Sequence, residues 1–256
     1  MFLRVATIAA LLVAPLYAQA PAKTNAPAPA GLPDARMLIN KHVKAIGGRP
    51  AILAHTSMHG TGTVSVPASG MNGQIEVFGA APNLQVIRIT MGGIGEIAEG
   101  FDGKHGWSVN PVTGPTLKVG RELDQVKLDA DFYSDLRDPK TYPEVKTVEK
   151  VTFDGRPCYR VSLKRIDGSL DFDYYDVATG LRAGVEGTRD TQLGVITQTS
   201  VERGYKKFGK LMQPTELVTT TKPPSVEQRI TLETVEYDTV EPSTFEPPAA
   251  IKALIK

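Results

Sequence analysis

Four histidines, a single cysteine and a short run of aspartates are the residues whose chemistry could define a site in this chain. His55 and His59 stand four apart, a spacing that puts two metal ligands on one face of a helix. Here the segment runs into a strand, no Glu follows His55 where that motif needs one, and a metal site wants three or four converging ligands. Both read as surface or rim residues, and no metal is expected. Asp171, Asp173 and Asp176 look like part of a calcium loop but lack its central Gly and terminal bidentate Glu. Asp171 and Asp173 read more simply as the solvent face of a strand. Gly92-Gly93-Ile94-Gly95 does not join a strand to a helix, so it reads as a turn rather than a phosphate cradle. Cys158 is the only cysteine, which excludes an intramolecular disulfide. It sits in a strand-like run with Tyr159 and Val161, no histidine nearby in sequence offers a base, and it reads as a half-buried inert thiol. No Gly-x-Ser-x-Gly elbow is present. No catalytic residue and no cofactor are assigned; a hydrolase whose polar groups converge only in the fold is the enzymatic alternative.

The elements that must position any site begin after a processing segment. Arg4 precedes an apolar run, Val5 to Val13, too short to anchor in a bilayer, and Ala18-Gln19-Ala20 resembles a signal-peptidase site. Pro21 disfavours cleavage after Ala20, so residues 1–18 are expected to be a signal peptide and the protein to be exported to a periplasm-like compartment. Residues 19–32 are Ala/Pro-rich and bury too little apolar surface to fold, which predicts a disordered tether. Residues 33–256 are of a size for one domain. Without residues 1–18 only Arg4 is lost among charged residues, leaving 28 basic and 28 acidic groups. That balance argues against a nucleic-acid partner.

Helical spacing of Leu38, Ile39, Val43 and Ile46, started by Pro33-Asp34 and stopped by Gly47-Gly48, predicts a helix over 34–46. A short turn over 50–54 follows. The period then becomes two. Val64 and Val66, Ile75 and Val77, and Ile87, Ile89 and Met91 each share a face, with turn residues between the runs. Leu123, Val126 and Ala130 predict one interrupting helix within 119–133. Strands return with Tyr159, Val161 and Leu163 on one face and Leu170, Phe172 and Tyr174 on one face of the next, and a last helical turn is expected within 249–255. The reading is a mainly β (α+β) protein of about ten or eleven strands, a large curled antiparallel sheet over two helices. Its apolar faces would line a concave surface. The candidate ligand-binding residues are Val64, Val66, Ile75, Val77, Ile87, Ile89, Met91, Trp107, Val161, Leu163, Phe172 and Tyr174. Phe78, Phe101 and Tyr159 are further aromatics that could line it.

Several short segments carry a family resemblance through their order and spacing: Ala45-Ile46-Gly47-Gly48, Gly100-Phe101-Asp102-Gly103 with Gly106-Trp107, Pro157-Cys158-Tyr159-Arg160-Val161, Tyr174 to Leu181, and Phe245-Glu246-Pro247-Pro248. In these the chain after Pro33 resembles the LolA-like outer-membrane lipoprotein-sorting family. The resemblance implies an unclosed β-barrel, a half-barrel wrapped over helices, whose concave apolar face accommodates acyl chains. It carries over no catalytic residues. The expected function is a periplasmic carrier or binding protein for a lipid-like ligand, such as lipid or lipoprotein acyl chains, admitted by displacement of a plug or lid helix. The alternative is a non-enzymatic envelope interaction module with a closed core and an envelope protein as partner.

Overall fold

The computed structural model describes residues 31–191 and 194–255. The expected signal peptide, and all but the last two residues of the expected tether, lie outside the described residues.

The first helix, α1 (Ala35–Ala45), starts where the Asp34 side chain accepts a hydrogen bond from the Met37 N–H at 3.0 Å. It buries Leu38, Ile39, His42 and Val43 along one stripe. Gly47 and Gly48 end it in positive-φ conformations, φ 128° and 88°, and α2 (Arg49–Leu53) follows with Pro50 in its first turn.

Fifteen strands follow among the described residues. The first run comprises β1 (Ser57–Val66), β2 (Met71–Ala80), β3 (Leu84–Met91), β4 (Gly95–Phe101), β5 (Gly106–Asn110) and β6 (Gly114–Lys118). A helix, α3 (Gly120–Asp129), interrupts. The second run comprises β7 (Glu144–Phe153), β8 (Arg156–Lys164), β9 (Leu170–Asp176), β10 (Arg182–Thr191) and β11 (Gly194–Arg203). A small hairpin of β12 (Lys206–Phe208) and β13 (Leu211–Gln213) precedes β14 (Glu216–Lys222) and β15 (Val226–Tyr237), and α4 (Ala249–Lys252) comes last. The count exceeds the expected ten or eleven because β5–β6 and β12–β13 are short hairpins whose few residues, with Pro115 in β6, show little alternation. The interrupting helix is shorter than the stretch that suggested it. Past it the Asp131 side chain accepts from the Tyr133 N–H at 3.0 Å, turning the chain into a 3-10 turn, Ser134–Leu136.

Thirteen strands form one antiparallel sheet in the order β6-β5-β4-β3-β2-β1-β15-β14-β11-β10-β9-β8-β7. Each run is a meander of hairpins. The two runs join in the middle, where β1 pairs with β15 from Met58↔Tyr237 to Ser65↔Arg229. The outer edges, β6 and β7, are consecutive in sequence but do not pair, so the sheet is not closed into a barrel. The segment carrying α3 spans that gap. It packs against both β5 and β10, and seven strands lie between those two in the sheet order. Only a strongly curled sheet brings them to one helix.

One face of the curl, here the inner face, receives α1 and α3. The opposite face is covered near β2–β5 by the C-terminal segment, where Phe245 and Ile251 pack with Phe78, Val86, Ala98 and Trp107. The Trp107 ring lies flat over Gly100, where an added Cβ would come within 2.3 Å of ring atom Cζ2. Trp107 is the sole tryptophan. Gly100→Ala is expected to destabilise the protein by about 1–3 kcal/mol through overpacking, read by denaturant unfolding followed through Trp107 fluorescence. An unchanged midpoint would show that the ring moves aside at no cost.

Candidate functional site on the inner face

The inner face divides into two chemically different halves. On the first, Val64, Ile75, Val77, Ile87, Ile89, Met91, Leu217 and Ile230 form one buried apolar cluster, with Val66, Met71 and Ile94 packed against it. Strand register explains the grouping. Ile75 pairs with Ile89 and Val77 with Ile87 between β2 and β3, and Val64 pairs with Ile230 between β1 and β15. Seven of the twelve candidate ligand residues are thereby brought together. Among the described residues no helical side chain belongs to this cluster.

The second half carries α1. Leu38, Ile39, Val43 and Ile46 pack on Val161, Leu163, Tyr175 and Leu211. Val161 and Leu163 thus lie on the inner face as the alternation implies, but beneath a helix. Beside them is a buried ionic network that the sequence did not suggest. Arg137 donates to both carboxylate oxygens of Asp173, at 2.8 and 3.0 Å, with both side chains almost wholly buried. The Tyr175 hydroxyl donates to the same carboxylate at 2.8 Å. Arg182 donates from Nε to both oxygens of Glu202 at 3.1 Å and pairs with Asp135 at 3.3 Å. Arg165 reaches Asp129 at 2.7 Å and Asp171 at 3.3 Å, and Arg189 donates to Asp171 at 3.0 Å. Burial disfavours the Arg137 guanidinium, but Asp173 beside it outweighs this and holds the group charged, its pKa well above the ordinary value. Arg137 itself takes a left-handed conformation, φ 47°, costly for a non-glycine and held by these contacts.

Asp171 and Asp173 therefore do not mark a solvent face; they are 1 % and 0 % exposed. The loop explains the difference. A two-residue turn at Asp167-Gly168 would place Asp171 opposite Lys164, but residues 165–169 all lie in the loop, closed by the Arg165 N–H on the Ser169 carbonyl at 2.9 Å. The register becomes Leu163↔Asp171 and Val161↔Asp173. A one-residue shift exchanges the two faces of a strand. For the same reason Phe172 and Tyr174, offered as ligand-lining residues, lie on the opposite face. There Arg160 stacks over the Phe172 ring at 3.8 Å and Tyr174 stacks on Phe153 at 3.9 Å. Trp107 is also on the opposite face, since it pairs with Gly100 rather than with Glu99. Cys158 lies with Tyr174 and Ala183 and is fully rather than half buried; burial pushes its thiol pKa up.

His55 and His59 do not converge. His55 contacts Asp238 at 2.7 Å and stacks on Tyr237, whereas His59 stacks on Phe78 and contacts Glu76 at 3.3 Å. Among the described residues no three His, Cys, Asp or Glu side chains gather as metal ligands would. His42 is the histidine with structural work. Its Nδ1 accepts from the Arg182 backbone N–H at 3.1 Å, and burial, with Arg182 close by, pushes its pKa down to about 3.

The α3 helix lies across the open gap with an unusual seam. Gln125 is its only fully buried side chain. Gln125 donates to the Asp190 carboxylate at 3.1 Å and accepts from the Asp190 N–H at 2.9 Å. Asp129 at its end pairs with Arg165 and Arg189. On the other side Lys118 pairs with Glu122 at 3.0 Å. The helix is tied down by polar contacts rather than anchored by apolar core.

The sequence matches no protein-family model and no curated protein. Solved structures do share its architecture. A DUF1329 family protein from Desulfovibrio piger superposes with a TM-score of 0.57 at 11% identity, covering 83% of this chain and 97% of that one. A LolA superfamily protein from Nitrosomonas europaea gives 0.55 at 13% identity, covering 84% and 99%. A domain assigned to outer membrane lipoprotein sorting from Vibrio parahaemolyticus gives 0.53 at 12% identity, covering 83% and 96%. The half-barrel fold implied by the sequence resemblance is thus the fold observed.

Two outcomes are expected of the ionic half. Asp173→Ala leaves the Arg137 charge buried without its partner and should cost about 3–5 kcal/mol, whereas Glu246→Ala at the exposed Lys252 pair should leave the unfolding midpoint essentially unchanged. Equal losses in denaturant melts would mean that the buried pair has no special weight. His42 binds a proton in the unfolded chain near pH 6.5 but in the folded chain only near pH 3, so its contribution is complete above pH 6.5 and is lost as pH falls. Relative to His42→Gln, wild type should lose about 1 kcal/mol of stability between pH 6.5 and 5.5. Parallel pH profiles for the two proteins would count against the buried neutral imidazole.

Proposed function

We propose that this chain, which has the LolA-like half-barrel fold, is an exported periplasmic binding protein or carrier for a ligand bearing acyl chains. One observation carries the reading. The strand residues Val64, Ile75, Val77, Ile87, Ile89 and Met91 form a buried apolar cluster on the inner face that, among the described residues, includes no hydrophobic side chain of α1 or α3, so a ligand chain could take the place of what covers it without displacing an apolar helix core. An acyl chain laid on that face would gain about 0.8 kcal/mol per buried methylene. The N-terminal part of α3 fits the part of a lid hinged at the buried Asp129–Arg165 pair, because its partly exposed polar contacts can be exchanged for water at small net cost while apolar core cannot. No helix among the described residues is long and apolar enough to cross a membrane. The proposed role is non-enzymatic: the face offers shape and apolar area for binding.

The envelope interaction module is the second reading, and the α1-covered half favours it. There the inner face is filled by Leu38, Ile39 and Val43 and cross-braced by buried ion pairs, as a closed core would be.

Native mass spectrometry of the purified mature protein, with uptake of a fluorescent fatty acid, separates the two. The carrier reading expects co-purified or exchangeable lipid, and faster uptake in an Asp190→Ala variant that loses the Gln125 and Arg121 contacts of α3. A clean apo protein that takes up no fatty acid in either form would exclude it.

A further inference from the structure

The apolar half of the inner face has a polar end, and we infer that it is the recognition site for a cationic, amine-bearing head on the acyl ligand. One row of residues crosses seven strands: Val235, Gly60, Val77, Ile87, Glu99, Ser108 and Thr116 lie on successive strands in mutual register. The row is apolar as far as Ile87 and polar from Glu99 onward. Val77 and Ile87 are buried, and neighbouring strands stand about 4.8 Å apart, so a chain that displaces their cover and lies over them brings its head directly onto Glu99. The hydroxyls of Ser108 and Thr116, 3.0 Å from one another, border that position.

Charge selects the head. Glu99, Lys118 and Glu122 meet here, two carboxylates around one ammonium, with side chains 18%, 11% and 19% exposed. Lys118 is 3.0 Å from Glu122 and 3.7 Å from Glu99, so one ammonium is shared between two carboxylates and is the closer to Glu122. With both carboxylates ionised the set carries one negative charge in excess, at the edge of an apolar surface where a charge is costly without a partner. Burial and the neighbouring Glu122 raise the Glu99 pKa in spite of Lys118, so a second cation at this carboxylate would stabilise its charged form. A ligand ammonium supplies that charge together with three donors. An anionic head would add to the excess instead.

This rests on the acyl-carrier reading, and the test separates the two. Dodecylamine, dodecanol and dodecanoate compete at neutral pH for a bound fluorescent fatty acid on the mature protein. All three share one chain and differ in the head. The amine should bind about tenfold more tightly than the alcohol, the worth of one charge-assisted hydrogen bond, with dodecanoate weakest. Glu99→Gln should reduce the amine to the level of the alcohol. Lys118→Met should widen the amine preference severalfold, an opposite sign that loss of folding cannot mimic. Equal binding of all three heads, tighter binding of dodecanoate, or an amine preference that survives Glu99→Gln overturns the head site and leaves the carrier standing. Binding of none overturns both.

Discussion

Three guanidinium groups in the protein interior set the terms for much of the rest. A buried charge is tolerated only with a partner in good geometry, and the partners of Arg137, Arg165 and Arg182 come from separate parts of the chain. Asp173 and Asp171 project from β9, Glu202 from β11, Asp129 from the end of α3 and Asp135 from the 3-10 turn. The segment between α3 and β7 must therefore dock on the inner face. Arg36 of α1 then donates to the Arg137 and Tyr142 carbonyls that this docking presents. Helix, linker and sheet hold one another through the same few charges.

That bracing leaves the fold with two halves of different character. One is filled by α1 and fixed by ion pairs; the other is a continuous apolar strand face bounded by polar side chains at β4–β6. The α3 helix touches both, tied to β10 by Gln125 and Asp190 and to β6 through Lys118. A binding protein needs this combination: a frame that does not yield, and a cover anchored to it at one end, by Asp129 on Arg165, and held at the other by contacts that water can replace.

Much of this was legible in the residue pattern. Period-two alternation in Ile75–Val77 and Ile87–Met91 identified the strands and their apolar face, because Glu76, Arg88 and Thr90 alternate with the apolar residues there. Gly47-Gly48 marked the end of α1 through a positive φ that glycine tolerates. What failed was register. In β9 both faces carry large side chains, and whether the aspartates or the aromatics face inward depends on a single residue of loop length. Trp107 was misplaced for a related reason, since its facing follows from pairing with Gly100 and not from its own hydrophobicity. The ionic network was invisible because Arg137, Arg182 and Glu202 lie far apart in sequence, with nothing local to mark them as buried.

The pairing of β1 with β15 has a kinetic consequence. Met58 waits for Tyr237, so the central seam joins the first of the described strands to the last. Contacts of such sequence separation form late and slowly. Until β15 arrives, β1 and β2 present an unpaired edge and an apolar face to their surroundings, a state open to aggregation. The sheet gains its protected form only once β15 has paired with β1, which gives a holding chaperone a defined interval in which to act.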